Sequence, residues 1–319
     1  MNAIQFDLDV ASLALLELGR ALRRDGYAFV TVTPETHRRI NERAAASGQS
    51  EARSLRDVFG WNRPFQRGLL PRRMLELLAV ADQIEPTEDG MWRSKVRFST
   101  AESQLFVHSA YPTVQHDAVF FGPDTYRFCS LVKRWAPQHV QYAVDVCGGS
   151  GAGGIALDGR AGRIAIADVN RKALAFAAIN AALAGVPLET IESDLLGNVS
   201  EAPDLIIANP PYMRDAAGRS YRDGGGEHGE YLSLRLVREA LCKLAPGGEL
   251  ILYTGTAIVG GVDTLRAQIA PLLQAHAAHA VHDFIYEELD PDVFGEELST
   301  SGYANVDRIA VVGLHVRMS

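Results

Sequence analysis

The sequence predicts an α/β protein: a doubly wound, seven-stranded sheet over the C-terminal two-thirds, with a smaller N-terminal domain of helices and a hairpin. Three observations carry this. From about Val140, short apolar runs alternate with helical stretches, the pattern of buried strands joined by crossover helices. The first run ends in a glycine-rich turn, Asp145-Val-Cys-Gly-Gly-Ser-Gly151. Acids or an amide close the next three, at the carboxyl edge where open α/β sheets bind ligands.

At 319 residues the chain exceeds one domain of ordinary size, and a division is expected near residue 115, into 1–115 and 116–319. In the first part, Leu13, Leu16 and Leu22 recur at helical spacing through Leu8 to Arg24, and Gly26 offers a stop. Pro34 to Ser47 reads as a second, very polar helix. A third is expected from Arg72 to about Ala81, with Met74, Leu75, Leu77 and Leu78 on its apolar side. Glu85-Pro-Thr-Glu-Asp-Gly90 is a turn, after which Trp92, Val96 and Phe98 are expected to face Leu105 and Val107 across a hairpin. Helices followed by a two-stranded wing resemble a winged-helix module, and small cap domains share the pattern. Substrate recognition or capping is the expected task of this domain.

In the second part the predicted strands are Val140–Val146, Arg163–Asp168, Leu188–Glu192, Asp204–Ala208, Glu249–Thr254, Val281–Glu287 and Arg308–Val316. Helical stretches between them include Arg171–Ala184, rich in Ala, and Glu230–Leu244.

Composition is 47% hydrophobic and 22% charged, which suits a globular chain and excludes disordered and collagen-like classes. A formal charge of -8 excludes a surface coated for indiscriminate nucleic-acid binding. The charge is unevenly divided: residues 1–115 hold fifteen Lys and Arg against fourteen Asp and Glu, and residues 116–319 hold sixteen against twenty-five. Residues 35–73 alone carry nine arginines against four acids. That segment reads either as a solvated face or as a contact surface for an anionic partner, RNA or an acidic protein. Cys129, Cys147 and Cys242 form no C-x-x-C pair, so no structural metal is expected. Asp7 and Asp9 stand where a signal peptide would be basic, and no eighteen consecutive residues are apolar, so a cytoplasmic protein without a membrane span is expected.

Glycines at a strand-to-helix turn let the backbone approach a ligand, and the helix N-terminus offers N–H groups to an anion. Gly149-Ser-Gly-Ala-Gly-Gly154 satisfies the G-x-G-x-x-G spelling, and Asp168 ends the second strand where a ribose-binding acid would sit. These features alone leave a nicotinamide- or flavin-dependent oxidoreductase open, as well as a turn serving only packing. Ser193-Asp194 ends the third strand and Asn209-Pro-Pro-Tyr212 the fourth. A lone acid after a strand is as readily a helix N-cap, and the Asn-Pro-Pro-Tyr segment alone could be a rigid loop. Four consecutive strand ends bearing such residues favour a ligand site.

With these residues the sequence resembles the class I S-adenosylmethionine-dependent methyltransferases, in the branch with an Asn-Pro-Pro-Tyr motif. Release-factor glutamine methyltransferases and adenine and guanine amino-methyltransferases of the "small domain" type belong to it. The resemblance spans roughly residues 116–319 and implies a seven-stranded, Rossmann-like methyltransferase sheet with S-adenosyl-L-methionine as cofactor. It implies that Asp145, Gly149 and Gly151 cradle the methionine part, with Cys147 replacing the usual first glycine. Asp168 would accept from the ribose hydroxyls and Asp194 from the adenine amino group. Phe121-Gly-Pro-Asp-Thr125 is similar to the segment that closes over the cofactor in relatives, which places Thr125 there.

A delocalised amide or aromatic nitrogen must have its lone pair localised before it can attack a methyl group. The Asn209 side-chain carbonyl and the Pro210 backbone carbonyl can accept both its N–H groups, the prolines stiffen the turn, and Pro211 and Tyr212 offer a flat wall to a planar acceptor. No general base or metal is demanded. A methyl acceptor in protein or RNA is what the resemblance implies. A small-molecule amine, a nicotinamide-dependent oxidoreductase and an inactive methyltransferase-like binding module are the alternatives.

Other features carry less. Arg214 to Tyr231 is a glycine-rich loop, either a substrate lid or a solvated connection, and Asp223-Gly-Gly225 resembles a glycine pair in the glutamine-modifying relatives. His276, His279 and His282 straddle a helix-to-strand junction and are not expected to share a face.

Overall fold

The computed structural model describes residues 8–277 and 281–319; Asp7 and His279 lie outside them. The N-terminal part consists of helices α1 (Val10–Arg24), α2 (Pro34–Ala46), α3 (Leu55–Phe59) and α4 (Arg72–Val80), then strands β1 (Ile84–Pro86), β2 (Trp92–Ser94), β3 (Val96–Ala101) and β4 (Gln104–Ser109). Asp9 caps α1 by accepting from the Ser12 N–H at 2.7 Å, and Leu15, Leu18 and Leu22 bury its inner face. Phe98 pairs with Val107 as expected, but Trp92 does not belong to that hairpin. It lies in a separate ribbon with Ile84–Pro86, and its backbone also pairs with Phe65, because the chain breaks pairing at Lys95.

After helix α5 (Pro123–Trp135) come β5 (Val140–Val146), α6 (Ala152–Ile155), β6 (Ala161–Asp168), α7 (Arg171–Ala184), β7 (Glu189–Glu192) and β8 (Leu205–Ala208). There follow α8 (Tyr231–Lys243), β9 (Glu249–Val259), the two-residue β10 (Val262–Asp263), α9 (Thr264–Ala277), β11 (Val281–Asp290) and β12 (Arg308–Met318). The strand order is β11-β12-β9-β8-β5-β6-β7, with β10 paired to β9. Strands β5 to β9 run parallel, whereas β12 is inserted antiparallel between β9 and β11. Dinucleotide-binding sheets in the 3-2-1-4-5-6 order have no such inserted antiparallel strand.

Helices α5, α6 and α7 cover one face of the sheet, and α8 and α9 cover the other. Strand β8 is buried along its whole length, which is why it reads as an unbroken apolar run. Helix α7 has two buried sides. Leu174, Ala177 and Ala181 face the sheet, while Ala173, Phe176, Ile179 and Leu183 join a third core with α1, α4 and the β3–β4 hairpin. Asn180, fully buried on α7, ties these layers together. Its Oδ1 accepts from Val107 N–H at 2.7 Å, and its Nδ2 donates to the carbonyls of Val107 at 3.1 Å and Ser150 at 2.9 Å. A buried amide with these bonds made gives the N-terminal hairpin one register against the glycine turn.

Candidate active site

The turn between β5 and α6 needs three left-handed residues in five positions: Cys147 (φ 56°), Gly149 (φ 54°) and Gly151 (φ 76°). Cys147 adopts the conformation that the usual glycine would reach at less cost. A Cβ on Gly149 would find nothing nearer than 4.0 Å, so this residue faces open space. A Cβ on Gly151 would come within 2.9 Å of the Ala177 Cβ. Gly151 therefore serves the close approach of α6 to α7, and it does not line the cleft above the turn.

That cleft, about 1320 Å³ including the part open to solvent, runs along the carboxyl ends of β5, β6, β7 and β8. Cys147, Gly149, Asp168 and Asp194, at the ends of β5, β6 and β7, line it together with Asn209, Pro210, Pro211 and Tyr212 after β8 and Thr125 of α5. Nine of the eleven residues singled out in the sequence thus meet in one space. Asp145 does not line it; like Gly151, it supports the turn from beneath.

Asp145 is 1% exposed. Its Oδ2 accepts from Gly154 N–H at 2.8 Å and its Oδ1 has no hydrogen-bond partner among the described residues. Burial, with a further push from the Asp168 charge and against the pull of that hydrogen bond, raises its carboxyl to about 7. The folded chain therefore holds this proton more tightly than the unfolded one, and the group weakens the fold as pH rises from about 4 through 7. Asp145→Asn should become progressively more stable relative to the unmodified protein between about pH 5 and pH 8, measured by thermal denaturation. A difference independent of pH would contradict this.

Asp168 accepts from Gly149 N–H at 3.0 Å and from Asn170 N–H at 2.9 Å, one bond to each oxygen. An ionised carboxylate offers about four lone-pair sites, so acceptor capacity remains on the cleft side. Asp194 is engaged differently: the Arg235 guanidinium grips it bidentately at 2.9 and 3.0 Å. Thr125 Oγ1 accepts from Gly122 N–H and so helps to fasten the start of α5.

Asn209 follows β8 directly, and its side chain makes no hydrogen bond among the described residues. Tyr212 is 8% exposed. Its hydroxyl donates to Asp124 Oδ2 at 2.7 Å, and its ring lies against the position where Gly255 lacks a Cβ. Tyr253 of β9 donates to the other oxygen of Asp124 at 2.8 Å. Burial and the Asp124 charge push both phenols well up, so both remain donors. Asp124, Tyr253 and Arg235 were not foreseen. Asp124 lies inside the singled-out segment Phe121–Thr125, and that was its one signal.

The loop after Tyr212 is part of the wall, with Ser220, Tyr221 and Arg222 lining the cleft. Ser220 Oγ donates to the His116 carbonyl at 2.7 Å, Tyr221 donates to the Thr113 carbonyl, and the Tyr221 ring stacks on Phe120 at 6.0 Å. Phe294, from the β11–β12 connection, stands opposite, 6.2 Å from the Tyr212 ring. Among the described residues no group of three or more His, Cys, Asp or Glu side chains is placed to hold a metal. No described helix is long and apolar enough to cross a membrane.

A mostly parallel sheet whose last strand is inserted antiparallel, with a glycine turn after its first parallel strand and a cleft along its carboxyl edge, is a Rossmann-like α/β fold. Residues 129–259 match the family model described as the methyltransferase small domain. The chain is 34% identical over 164 residues to the release factor glutamine methyltransferase of Deinococcus radiodurans, covering 47% of this chain and 54% of that protein. It is 35% identical over 112 residues to the ribosomal RNA small subunit methyltransferase C of Chromohalobacter salexigens, covering 35% and 31%. It thus spans about half the length of the first relative and under a third of the second. Among solved structures it is similar to M. jannaschii TYW2 in complex with AdoMet, at 11% identity and a TM-score of 0.48, over 70% of this chain and 86% of that one.

Proposed function

We propose that the protein is an S-adenosylmethionine-dependent N-methyltransferase acting on a planar amide or amino nitrogen, a protein glutamine or a nucleobase. The carrying observation is that Asn209-Pro-Pro-Tyr212 opens onto the same cleft as the glycine turn and Asp168. The residues present fit the cofactor. Gly149 leaves space where any side chain would intrude, and Asp168 keeps unused acceptor sites for ribose hydroxyls. Asp194 would share its carboxylate between Arg235 and the adenine amino group.

When bound, the cofactor supplies an electrophilic methyl group on a sulfonium. Asn209 Oδ1 and the Pro210 carbonyl accept the two N–H groups of the acceptor and orient its nitrogen. Pro211 and the open strip of the Tyr212 ring border the space that receives that group. The N-terminal region, residues 1–115, is the natural place for recognition of the rest of the substrate. Several arginines of its basic segment are already neutralised: Arg38 and Arg39 pair with Glu35, Arg63 with Asp57, and Arg72 with Glu76. Arg43, Arg53, Arg56 and Arg67 make no ion pair among the described residues and are the positions left for an anionic partner, with Arg56 also lying over the Phe29 ring. The reading places the enzyme in the cytoplasm, where its free cysteines remain thiols.

Calorimetry with S-adenosylhomocysteine and with NAD tests the cofactor: binding of the first alone is expected, and preference for NAD would overturn the proposal. Incubation with labelled S-adenosylmethionine and separate protein, RNA and small-metabolite fractions assigns the acceptor, with label expected on nitrogen in protein or RNA.

A further inference from the structure

We propose that Arg222 and Phe294 form an acceptor subsite that recognises the carbonyl oxygen of a carboxamide, the group whose nitrogen Asn209 and Pro210 would hold; this rests on the methyltransferase reading above. Both residues line the cleft, and Arg222 is the one Lys or Arg among its lining residues. The backbone brings it there. Met213 N–H, directly after the Asn-Pro-Pro-Tyr segment, donates to the Arg222 carbonyl at 3.0 Å, and Met213 bridges to Asp223.

The Arg222 guanidinium is held at one corner only. Its Nη2 donates to Glu297, its Nε is buried without a hydrogen-bond partner at 3.8 Å from Asp215 Oδ1, and its Nη1 has no acceptor among the described residues. The charges around it already cancel, since Asp215 and Glu297 stand against Arg219 and Arg222. A phosphate or carboxylate would meet two carboxylates beside the guanidinium, whereas a neutral carbonyl oxygen needs only the spare donor.

Phe294 supplies the second observation. It holds φ 53° and ψ 37°, a left-handed conformation that a bulky aromatic rarely adopts and that surrounding contacts must enforce. Those contacts are present. The Arg222 guanidinium lies 5.9 Å from the Phe294 ring centre, Glu297 follows one turn later, and Tyr303 OH accepts from Arg214 N–H at 2.7 Å. The β11–β12 connection is thereby bolted to the loop after Tyr212, and the two make one wall. This connection lies beyond the family match at 129–259.

The small open area of Tyr212 favours a carboxamide over a nucleobase. At 8% exposure, with its hydroxyl on Asp124, that ring shows a narrow strip rather than a face on which a base would stack. A carboxamide needs two acceptors for its NH2 group and one donor for its oxygen, and the cleft presents that set.

The test uses the full chain with 15N-labelled arginine, saturated with S-adenosylhomocysteine. It is titrated separately with N-acetylglutamine methylamide, N-acetylglutamate methylamide and guanosine, while the Arg222 guanidinium resonances, assigned by their loss in Arg222→Lys, are followed. Those resonances should shift with the glutamine probe alone. Arg222→Lys and Phe294→Ala should each weaken its binding about tenfold or more, with S-adenosylhomocysteine affinity unchanged in both; Glu297→Gln, should Arg222→Lys fail to fold, should weaken it likewise. No shift with the glutamine probe, or an equal shift with the glutamate probe, overturns the subsite. A shift with guanosine alone assigns the wall to RNA and overturns it too. Failure of S-adenosylhomocysteine to bind overturns the methyltransferase reading, and the subsite with it.

Discussion

Asn209→Ala should lower the single-turnover rate of methyl transfer by about two to three orders of magnitude, the scale found when one preorganised polar group is removed from a reacting centre. Stability and S-adenosylhomocysteine affinity should hardly change. The reason is local: the Asn209 side chain forms no hydrogen bond among the described residues, and it follows β8, two strands along the sheet from β6 and Asp168. Its removal therefore takes away an acceptor for the incoming N–H without leaving a buried partner unpaired. Three measurements on one preparation check this: transfer of labelled methyl, calorimetry with S-adenosylhomocysteine, and the melting temperature. Turnover equal to that of the unmodified protein would remove Asn209 from the chemistry. A loss of cofactor affinity as large as the loss of rate would move it to the cofactor end.

The sheet was legible because its strands announce themselves locally. Strand β5 occupies Val140–Val146 as read, since both faces of its carboxyl-terminal half are buried and the run ends at the glycine turn. Helix α7 occupies Arg171–Ala184 as read because both ends are chemically marked. Asn170 accepts from Lys172 N–H at 3.0 Å, and Gly185 leaves the helix at φ 76°. Where boundaries moved, distant pairing moved them. Strand β9 continues past Thr254 to Val259 because β12 pairs along it as far as Ile258, opposite Arg308. Helix α5 was not read as a helix, since Phe121-Gly-Pro resembles a turn and charges at Arg127, Lys133 and Arg134 interrupt the apolar side. The sheet supplies what that pattern lacks by burying Phe128, Leu131 and Val132.

In the site, the residues legible from sequence are those fixed by a strand end. Asp168 is the last residue of its strand and Asn209 follows its own directly, so a linear motif records them. The residues missed are those whose meaning is a meeting between distant segments. Asp124 reaches Tyr212 across 88 positions and Tyr253 across 129. Arg222 and Glu297 are 75 apart. No spacing rule connects such pairs, and only the closing of the sheet brings them together. Asp194 shows the converse: its position was read from the strand end, while its partner Arg235, 41 residues on, was invisible.

Removal of the Asp124 carboxylate should be the most disruptive single change in the cleft wall. Asp124 is 8% exposed and accepts from the hydroxyls of Tyr212 and Tyr253, with Arg127 at 3.3 Å. Asp124→Ala leaves two buried phenol donors without their acceptor, while Arg127 keeps its ion pair with Asp290 at 2.8 Å, and a loss of about 3–5 kcal/mol is expected. Asp124→Asn keeps the shape and one acceptor, and should cost less in stability. It should still lower the rate of methyl transfer more than the affinity for S-adenosylhomocysteine, because it loosens Tyr212 and not the glycine turn. Asp124 is thus a positioning residue, and a double-mutant cycle tests the role. Tyr212→Phe removes the hydroxyl that Asp124 holds, so the rate losses of Asp124→Asn and Tyr212→Phe should combine to well under their product. Full multiplication of the two losses would show that Asp124 acts independently of Tyr212.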